Sequence, residues 1–157
     1  MKTSRRQVLK TGGGFTLLTL LAAAGWLHPK AANAQTWNKA AFGTHSLDEA
    51  VKAMGGAAPS QSKDISFFST PDIAENGAVV PIGVASGVPK TESIAILVEK
   101  NPNILAAVFD IPPGTEPSLS TRVKMGQTSN VYALVKADGK YYVASKEIKV
   151  TLGGCGG

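Results

Sequence analysis

From Asp64 to Leu152 apolar residues recur at every second position, and this alternation is the feature that most constrains the fold. A period of two is typical of strands, because successive side chains point to opposite faces of a sheet. The pattern covers residues 65–67, 78–85, 94–99, 105–111, 118–125, 131–136 and 147–152. Asp138-Gly139, between the last two segments, predicts a type I′ hairpin. About seven short strands with frequent turns predict an all-β chain, an antiparallel immunoglobulin-like β-sandwich, with a small barrel as the alternative.

One short helix is expected ahead of the strands. Ser46 and Glu49 have the spacing of a capping box, and Gly55-Gly56 should end the helix near Met54. A helix this short is expected to pack across the edge or the end of a sheet. Residues 57–62 are mostly small and are interpreted as a linker.

The segment Ala78–Ala85 is apolar on both of its faces. Pro81 has no N–H to donate, which favours an edge position or a bulge. An apolar edge strand promotes aggregation unless something covers it. Two interpretations follow: an interior core strand with a proline bulge, or an interface with another chain.

Residues 1–34 have the form of an export signal. Arg5 and Arg6 form a twin-arginine motif, and the apolar run at residues 15–27 is shorter than the roughly 20 residues that span a bilayer. Ala32-Asn33-Ala34 is a small-residue cleavage site, so cleavage is expected after Ala34. This order predicts export of the folded protein by the twin-arginine route and no stable membrane anchor. The alternative is an uncleaved N-terminal anchor.

The charge distribution argues against nucleic-acid binding. The chain has 157 residues and a net charge of +5, but its first 34 residues hold five of the sixteen Lys and Arg residues and no acid. The remainder therefore has eleven basic and eleven acidic residues, which balance. Without the signal no bulk positive charge is left to attract a phosphate backbone.

The chain has one cysteine, Cys155, and it lies within Gly153-Gly154-Cys155-Gly156-Gly157. Glycines resist ordering, so residues 153–157 are expected to form a flexible arm beyond a sandwich domain of residues 35–152. An odd cysteine in an exported protein indicates intermolecular pairing or a free reactive thiol. A thiol with an ordinary pKa near 8.5 is only about 3% thiolate at pH 7. Such a thiol suits a carrier that is activated inside its partners' active sites.

Other chemistries are disfavoured. His45 is the one histidine outside the signal, and a zinc site needs three or four ligands. A Ser-His-Asp triad would depend on His45, which we interpret as a bystander loop histidine. No glycine-rich phosphate-binding loop is present in the sequence. No metal and no cofactor are therefore expected.

The leader, the all-β body and the terminal glycine-cysteine motif together resemble the SoxY family, the sulfur carriers of the periplasmic thiosulfate-oxidising Sox system. Residues 74–82 (AENGAVVPI) and 150–155 (VTLGGC) also resemble that family. The likeness extends over essentially the whole chain. Val8 stands where twin-arginine signals usually carry phenylalanine, which is a mild departure.

The resemblance implies a mechanism and a set of partners. Cys155 would be the covalent attachment point for thiosulfate-derived sulfur, on an arm whose flexibility comes from Gly153, Gly154, Gly156 and Gly157. A SoxZ-like β-sandwich subunit would complete a heterodimer. A c-type cytochrome complex, a sulfate-releasing hydrolase and a sulfane dehydrogenase would act on the carried sulfur. The chain itself would have no catalytic activity. Two rival functions are a structural module whose Cys155 only forms an intermolecular disulfide, and a thiol-based redox enzyme.

Overall fold

The computed structural model describes residues 38–151. These residues form two helices, α1 (Lys39–Phe42) and α2 (Leu47–Ala53), followed by nine strands. The strands are β1 (Ser60–Gln61), β2 (Ile65–Phe68), β3 (Ile73–Ala74), β4 (Val80–Ser86), β5 (Thr91–Val98), β6 (Leu105–Asp110), β7 (Ser118–Val123), β8 (Ser129–Ala137) and β9 (Lys140–Val150).

The strands form two sheets. The large sheet has the order β1-β9-β8-β5-β6, with β3 also paired to β9, and the small sheet has the order β2-β4-β7. Most neighbours are antiparallel, whereas the two-residue strands β1 and β3 run parallel to β9. The predicted all-β sandwich is confirmed. The residues interpreted as a linker contain β1, which is too short for a period of two to be visible.

The inner faces of the two sheets enclose the main core. Val80, Ile82 and Val84 of β4 are fully buried and pack in one cluster with alternate residues of β5 and β8, among them Ile96 and Ala133. Burying a Val or Ile side chain contributes roughly 1.5–3 kcal/mol, so this row stabilises the contact between the sheets. The alternation read from the sequence therefore identifies the core face of each of these strands.

The outer face of the large sheet is covered by the helices. Ala50 and Val51 of α2 pack in a second cluster with Leu97, Leu134 and Tyr141. The expectation that the helix packs at an edge or end of the sheet is therefore wrong. The cause is visible in the strands: β5 and β8 are apolar on both faces, so the large sheet needs a cover on the side away from the small sheet.

The local signals around α2 are confirmed. The Ser46 hydroxyl accepts from the Glu49 N–H at 3.3 Å, and the Glu49 carboxylate accepts from the His45 N–H at 3.0 Å. Gly55 has a φ of 81°, which ends the helix in the left-handed conformation that glycine tolerates. The helix α1 is an addition to the one helix expected, and at four residues it shows no periodicity.

The predicted hairpin joins β8 and β9. Asp138 and Gly139 both have positive φ, at 51° and 73°, as a type I′ turn requires. Ala137 then pairs with Lys140 and Lys136 with Tyr141. The antiparallel register continues to the pair Ser129 and Ile148.

Pro81 lies in β4, the middle strand of the small sheet, and the register with β7 is unbroken around it, so of the two alternatives for Pro81 the bulge is absent there. The other neighbour, β2, pairs only with Gly83–Ser86. The Gly83 N–H donates on that side to the Thr70 hydroxyl at 3.0 Å. Because alternate backbone nitrogens of a strand point the same way, the Pro81 nitrogen faces the side where β2 has already ended. The strand is thus an edge locally, which is how it accommodates proline.

Candidate functional site

The residues predicted to carry the chemistry lie outside the described residues. This holds for Cys155 and for the arm glycines Gly153, Gly154, Gly156 and Gly157. It holds equally for Arg5, Arg6 and Ala34 of the export signal. The described residues do include the three residues that lead into the arm, Lys149, Val150 and Thr151, which we call the arm root.

The arm root extends beyond the ladder that holds the rest of β9. The β8–β9 register ends at the pair Ser129 and Ile148, so β8 offers no partner to the arm root. Its backbone is held from the other side, by residues 72–75, which include β3 and which we call the bracket. Ile73 pairs with Lys149 and Ala74 with Val150, in parallel.

Hydrogen bonds on both of its sides hold the arm root. The Lys149 N–H donates to Asp72 O at 2.9 Å, and the Thr151 N–H donates to Ala74 O at 3.1 Å. The Thr151 hydroxyl donates to Glu75 O at 3.2 Å. The Val150 N–H points to the opposite side and donates to the Thr128 hydroxyl oxygen at 3.0 Å. The last three described residues are therefore each hydrogen-bonded.

The bracket is itself anchored at both ends. On the near side the Lys146 ammonium donates to Thr70 O at 2.6 Å and lies 3.0 Å from the Asp72 carboxylate. On the far side the Met125 N–H donates to Gly77 O at 2.7 Å. Ala74 between them is buried. The bracket is thus fixed to β9 and to the loop after β7.

Two exposed apolar side chains lie in the bracket or shortly after it in sequence. Ile73, beside Lys149, is 57% exposed, and Val79, just before β4, is 54% exposed. With Phe68 they are the exposed large apolar residues of the part that the structure describes. Two of these three residues therefore belong to the bracket or to the chain that follows it.

A family model for the sulfur oxidation protein SoxY matches residues 50–155. The chain belongs to the SoxY family. It is also similar to a solved structure, the sulfur carrier protein SoxY from Chlorobium limicola f thiosulfatophilum, with 40% identity and a TM-score of 0.61. That match covers 68% of this chain and 96% of the other.

A second solved structure, a superoxide reductase (neelaredoxin) from Ignicoccus hospitalis, is 20% identical with a TM-score of 0.47. It covers 55% of this chain and 78% of the other. Among curated protein sequences no match is found.

Membership of the SoxY family confirms the resemblance stated from the sequence and assigns the chain to sulfur oxidation, as a carrier within the Sox system. The structure adds that the two SoxY-like segments are neighbours. Ala74 and Glu75 belong to one, Val150 and Thr151 to the other, and they are hydrogen-bonded to each other.

The sequence reasoning missed the bracket and the two threonines. Thr128 lies 22 residues from its partner Val150 and Thr151 lies 76 from Glu75, and no local spacing rule connects them. The available signal was the likeness of residues 74–82 to the family. It marked the segment without saying what it contacts.

The His45 Nδ1 lies 2.6 Å from Pro102 O, which ties the turn before α2 to the loop after β5. In residues 38–151 no group of three or more His, Cys, Asp or Glu side chains is arranged to hold a metal ion. No helix in the same residues is long and apolar enough to cross a membrane.

The perturbed titratable groups among the described residues lie on the outer face of the large sheet. Partial burial raises the pKa of Tyr132, and its hydrogen bond to Glu99, at 3.0 Å, acts in the same direction. The Lys136 ammonium, 3.1 Å from Glu92, lowers the pKa of that carboxyl. Both pairs are partly solvated, so we interpret them as surface pairs of the fold.

Proposed function

We propose that this SoxY protein is a periplasmic carrier that holds thiosulfate-derived intermediates covalently on Cys155 and presents them to the Sox enzymes. The observation that carries the proposal is the extent of the family match, which ends at residue 155. The region similar to the family thus includes the whole route from the sandwich to the thiol. The relative named a sulfur carrier protein supports the same role.

In this proposal each chemical step belongs to a partner. A c-type cytochrome complex joins thiosulfate to the Cys155 thiol, forming a sulfur–sulfur bond, releasing a proton and accepting two electrons. A hydrolase then adds water, releases sulfate and leaves a persulfide on Cys155. A sulfane dehydrogenase, where one is present, oxidises the remaining sulfur. The chain contributes attachment and delivery, with Gly153, Gly154, Gly156 and Gly157 giving a thin arm, and needs no metal or cofactor.

We further propose that a SoxZ-like β-sandwich subunit binds the outer face of the small sheet and forms a heterodimer with this chain. Val79 and Pro81 are exposed there, in an uncharged row with Gly83 and Ala85, and Arg122 of β7 is exposed beside Pro81. A row of this kind, left without a covering layer, favours contact with another protein over contact with water. Export of the folded pair by the twin-arginine route, through Arg5 and Arg6 and with cleavage after Ala34, accounts for its place in the periplasm.

The decisive experiment compares Cys155→Ser with the unaltered protein. Thiosulfate-dependent turnover with the reconstituted Sox enzymes should be abolished. The melting temperature should stay unchanged, because surface changes away from packed or capping residues usually shift stability by less than about 0.5 kcal/mol. Cys155 lies beyond the strand whose last residue is Val150. Retained turnover would rule out the carrier function.

Intact-mass measurement of the periplasmic protein separates the rival functions. A carrier should show sulfur-containing adducts that disappear in Cys155→Ser. A disulfide module would show a stable dimer mass that reducing agents remove, and a thiol redox enzyme would show sulfenic acid. Either of the last two results, without sulfur adducts, would replace the proposal.

A further inference from the structure

The arm root is held by packing at one residue and by hydrogen bonds at the next. Val150 is half-buried and packs against the main core, whereas Thr151 is exposed. The bracket strand β3 has two residues, of which Ile73 is 57% exposed and Ala74 is buried. Besides the backbone bonds between the arm root and the bracket, two hydrogen bonds of the arm root involve a threonine hydroxyl, that of Thr128 and that of Thr151.

The position of these hydrogen bonds affects how far the proposed arm can carry Cys155. Beyond Ile148 the ladder with β8 has ended, so without the bracket and Thr128 the free chain would begin near residue 149. In the proposed carrier the arm then begins after Thr151. Four residues lead from there to Cys155, a reach of about 13–14 Å at 3.3–3.6 Å per residue. Complete release of the arm root would lengthen the arm from four residues to as many as seven, residues 149–155.

We infer that Thr128 and Thr151 are positioning residues that set the length of the carrier arm by fixing where the free chain begins. The inference rests on the proposed carrier function. The bracket suits the task because it is anchored separately: Lys146 holds Thr70 and Asp72, and Met125 holds Gly77. The effective concentration of a tethered group falls with tether length at roughly the −3/2 power or more steeply. Lengthening the arm from four residues to seven should lower delivery about twofold or more.

The test uses the full mature chain in complex with its partner subunit and measures kcat/KM for processing by the sulfate-releasing hydrolase. Thr128→Val/Thr151→Val removes both hydroxyls at nearly constant volume while the backbone bonds to the bracket remain, and should lower kcat/KM by up to about twofold. Thr151→Ser and Thr128→Ser keep the hydroxyls and should match the unaltered protein. Thr115→Val is the matched control, because Thr115 is exposed in the β6–β7 loop, away from the arm root. Labelling of Cys155 by iodoacetamide should be equal in all variants.

Deleting Gly153 provides a readout that a purely structural role would not change. In the unaltered protein the deletion shortens an arm of correct length and should slow processing. In Thr128→Val/Thr151→Val the same deletion shortens an arm that is too long and should restore part of the lost rate. An effect of the same sign in both backgrounds would overturn the inference, as would a double variant as fast as the unaltered protein.

The single variants Thr128→Val and Thr151→Val keep the test valid if the double variant fails to fold, and each should show a smaller loss in the same direction. Cys155→Ser separates the two levels of the argument. If Cys155→Ser still turns over, the carrier function itself fails. If Cys155→Ser is inactive while the threonine variants behave as the unaltered protein, only the length-setting role fails.

Discussion

The outer faces of the two sheets differ in how the chain treats them. The large sheet presents Leu97, Leu134 and Tyr141 outward and covers them with α1 and α2. Where the helices stop, the same face carries polar side chains such as Glu99 and Lys136. The small sheet presents Val79 and Pro81 outward, and within residues 38–151 no helix covers them. One face is therefore covered by the chain itself, whereas the other has no helix of the described residues over it and carries Val79 and Pro81 beside the polar side chains Arg122, Ser120 and Ser118 of β7.

Two aromatic residues, Tyr141 and Phe68, show the same difference between the two faces. The ring of Tyr141 lies against Gly56 on the large sheet and is 7% exposed. The ring of Phe68 lies against Gly83 on the small sheet and is 38% exposed. Each glycine leaves room for the ring. Only the Tyr141 ring is enclosed further, and its hydroxyl donates to Met54 O at 2.9 Å. An aromatic ring thus packs on a glycine on both faces, but only on the large sheet is the ring also enclosed by the rest of the chain.

The largest effect on stability is expected at the covered face. Leu97→Ala should lower the free energy of unfolding by about 2–5 kcal/mol, because Leu97 is fully buried between β5 and the helices and its removal leaves a cavity. Val79→Ala on the uncovered face should change it by less than about 0.5 kcal/mol in the isolated chain. Urea unfolding measures both. Equal losses would show that the two faces are not different.

The next effect concerns the partner rather than the fold. Val79→Glu should weaken binding of the SoxZ-like subunit at least tenfold, about 1.4 kcal/mol, because burying an unpaired charge in an interface is unfavourable. Ser145→Glu is the matched control, since Ser145 is exposed on the polar part of the large sheet's outer face. Titration calorimetry gives both dissociation constants. Unchanged binding by Val79→Glu would place the interface elsewhere.

A smaller effect is expected where the cover of the large sheet begins. Ser46→Ala removes the hydroxyl that caps α2 and should cost about 1 kcal/mol of stability. Ser46→Asn restores a capping side chain and should recover most of it. Ser66→Ala, on the exposed face of β2, should be nearly neutral. Thermal unfolding of the four proteins distinguishes them, and an equal loss in Ser66→Ala would contradict the role of the cap.

The smallest effect is expected at the edge of the covered face. Glu92 has a lowered pKa because Lys136 and the Gly139 N–H bind its carboxylate. Its contribution to stability should therefore be present above the ordinary carboxyl pKa of about 4.3 and should vanish as the pH falls through the lower, folded-state pKa. Glu92→Gln should melt slightly lower at pH 7 and together with the unaltered protein near pH 3. A difference that grows on acidification would contradict the assignment.

Local patterns predicted the fold wherever a segment carries its own signal. The alternation of Val80, Ile82 and Val84 gave the core face of β4, and Asp138-Gly139 gave the hairpin. The strands β1 and β3 were not predicted, because two residues show no period and their partner β9 is distant in sequence. The position of α2 over the large sheet was not predicted, for a different reason. A period of two does not show that both faces of β5 and β8 are buried, so it does not reveal that one face of the large sheet needs a cover.

For the candidate site, the sequence marked the chemical group and missed its support. A lone cysteine among four glycines is conspicuous in any sequence. The hydroxyls of Thr128 and Thr151 are not, because a threonine's partner is decided by the fold and not by its neighbours. The resemblance of residues 74–82 to the family marked a segment whose contact with the arm root only the fold reveals.

The direction of the bracket's hydrogen bonds bears on how the protein responds to force. In the proposed carrier, an enzyme that binds the arm and moves away would pull β9 along its own axis. The bonds from β8 and β3 run across that axis, so the load would fall on many of them together in shear instead of on one after another. The strand that leads to the arm would thus resist extraction, and the sheet behind it would stay intact through repeated encounters.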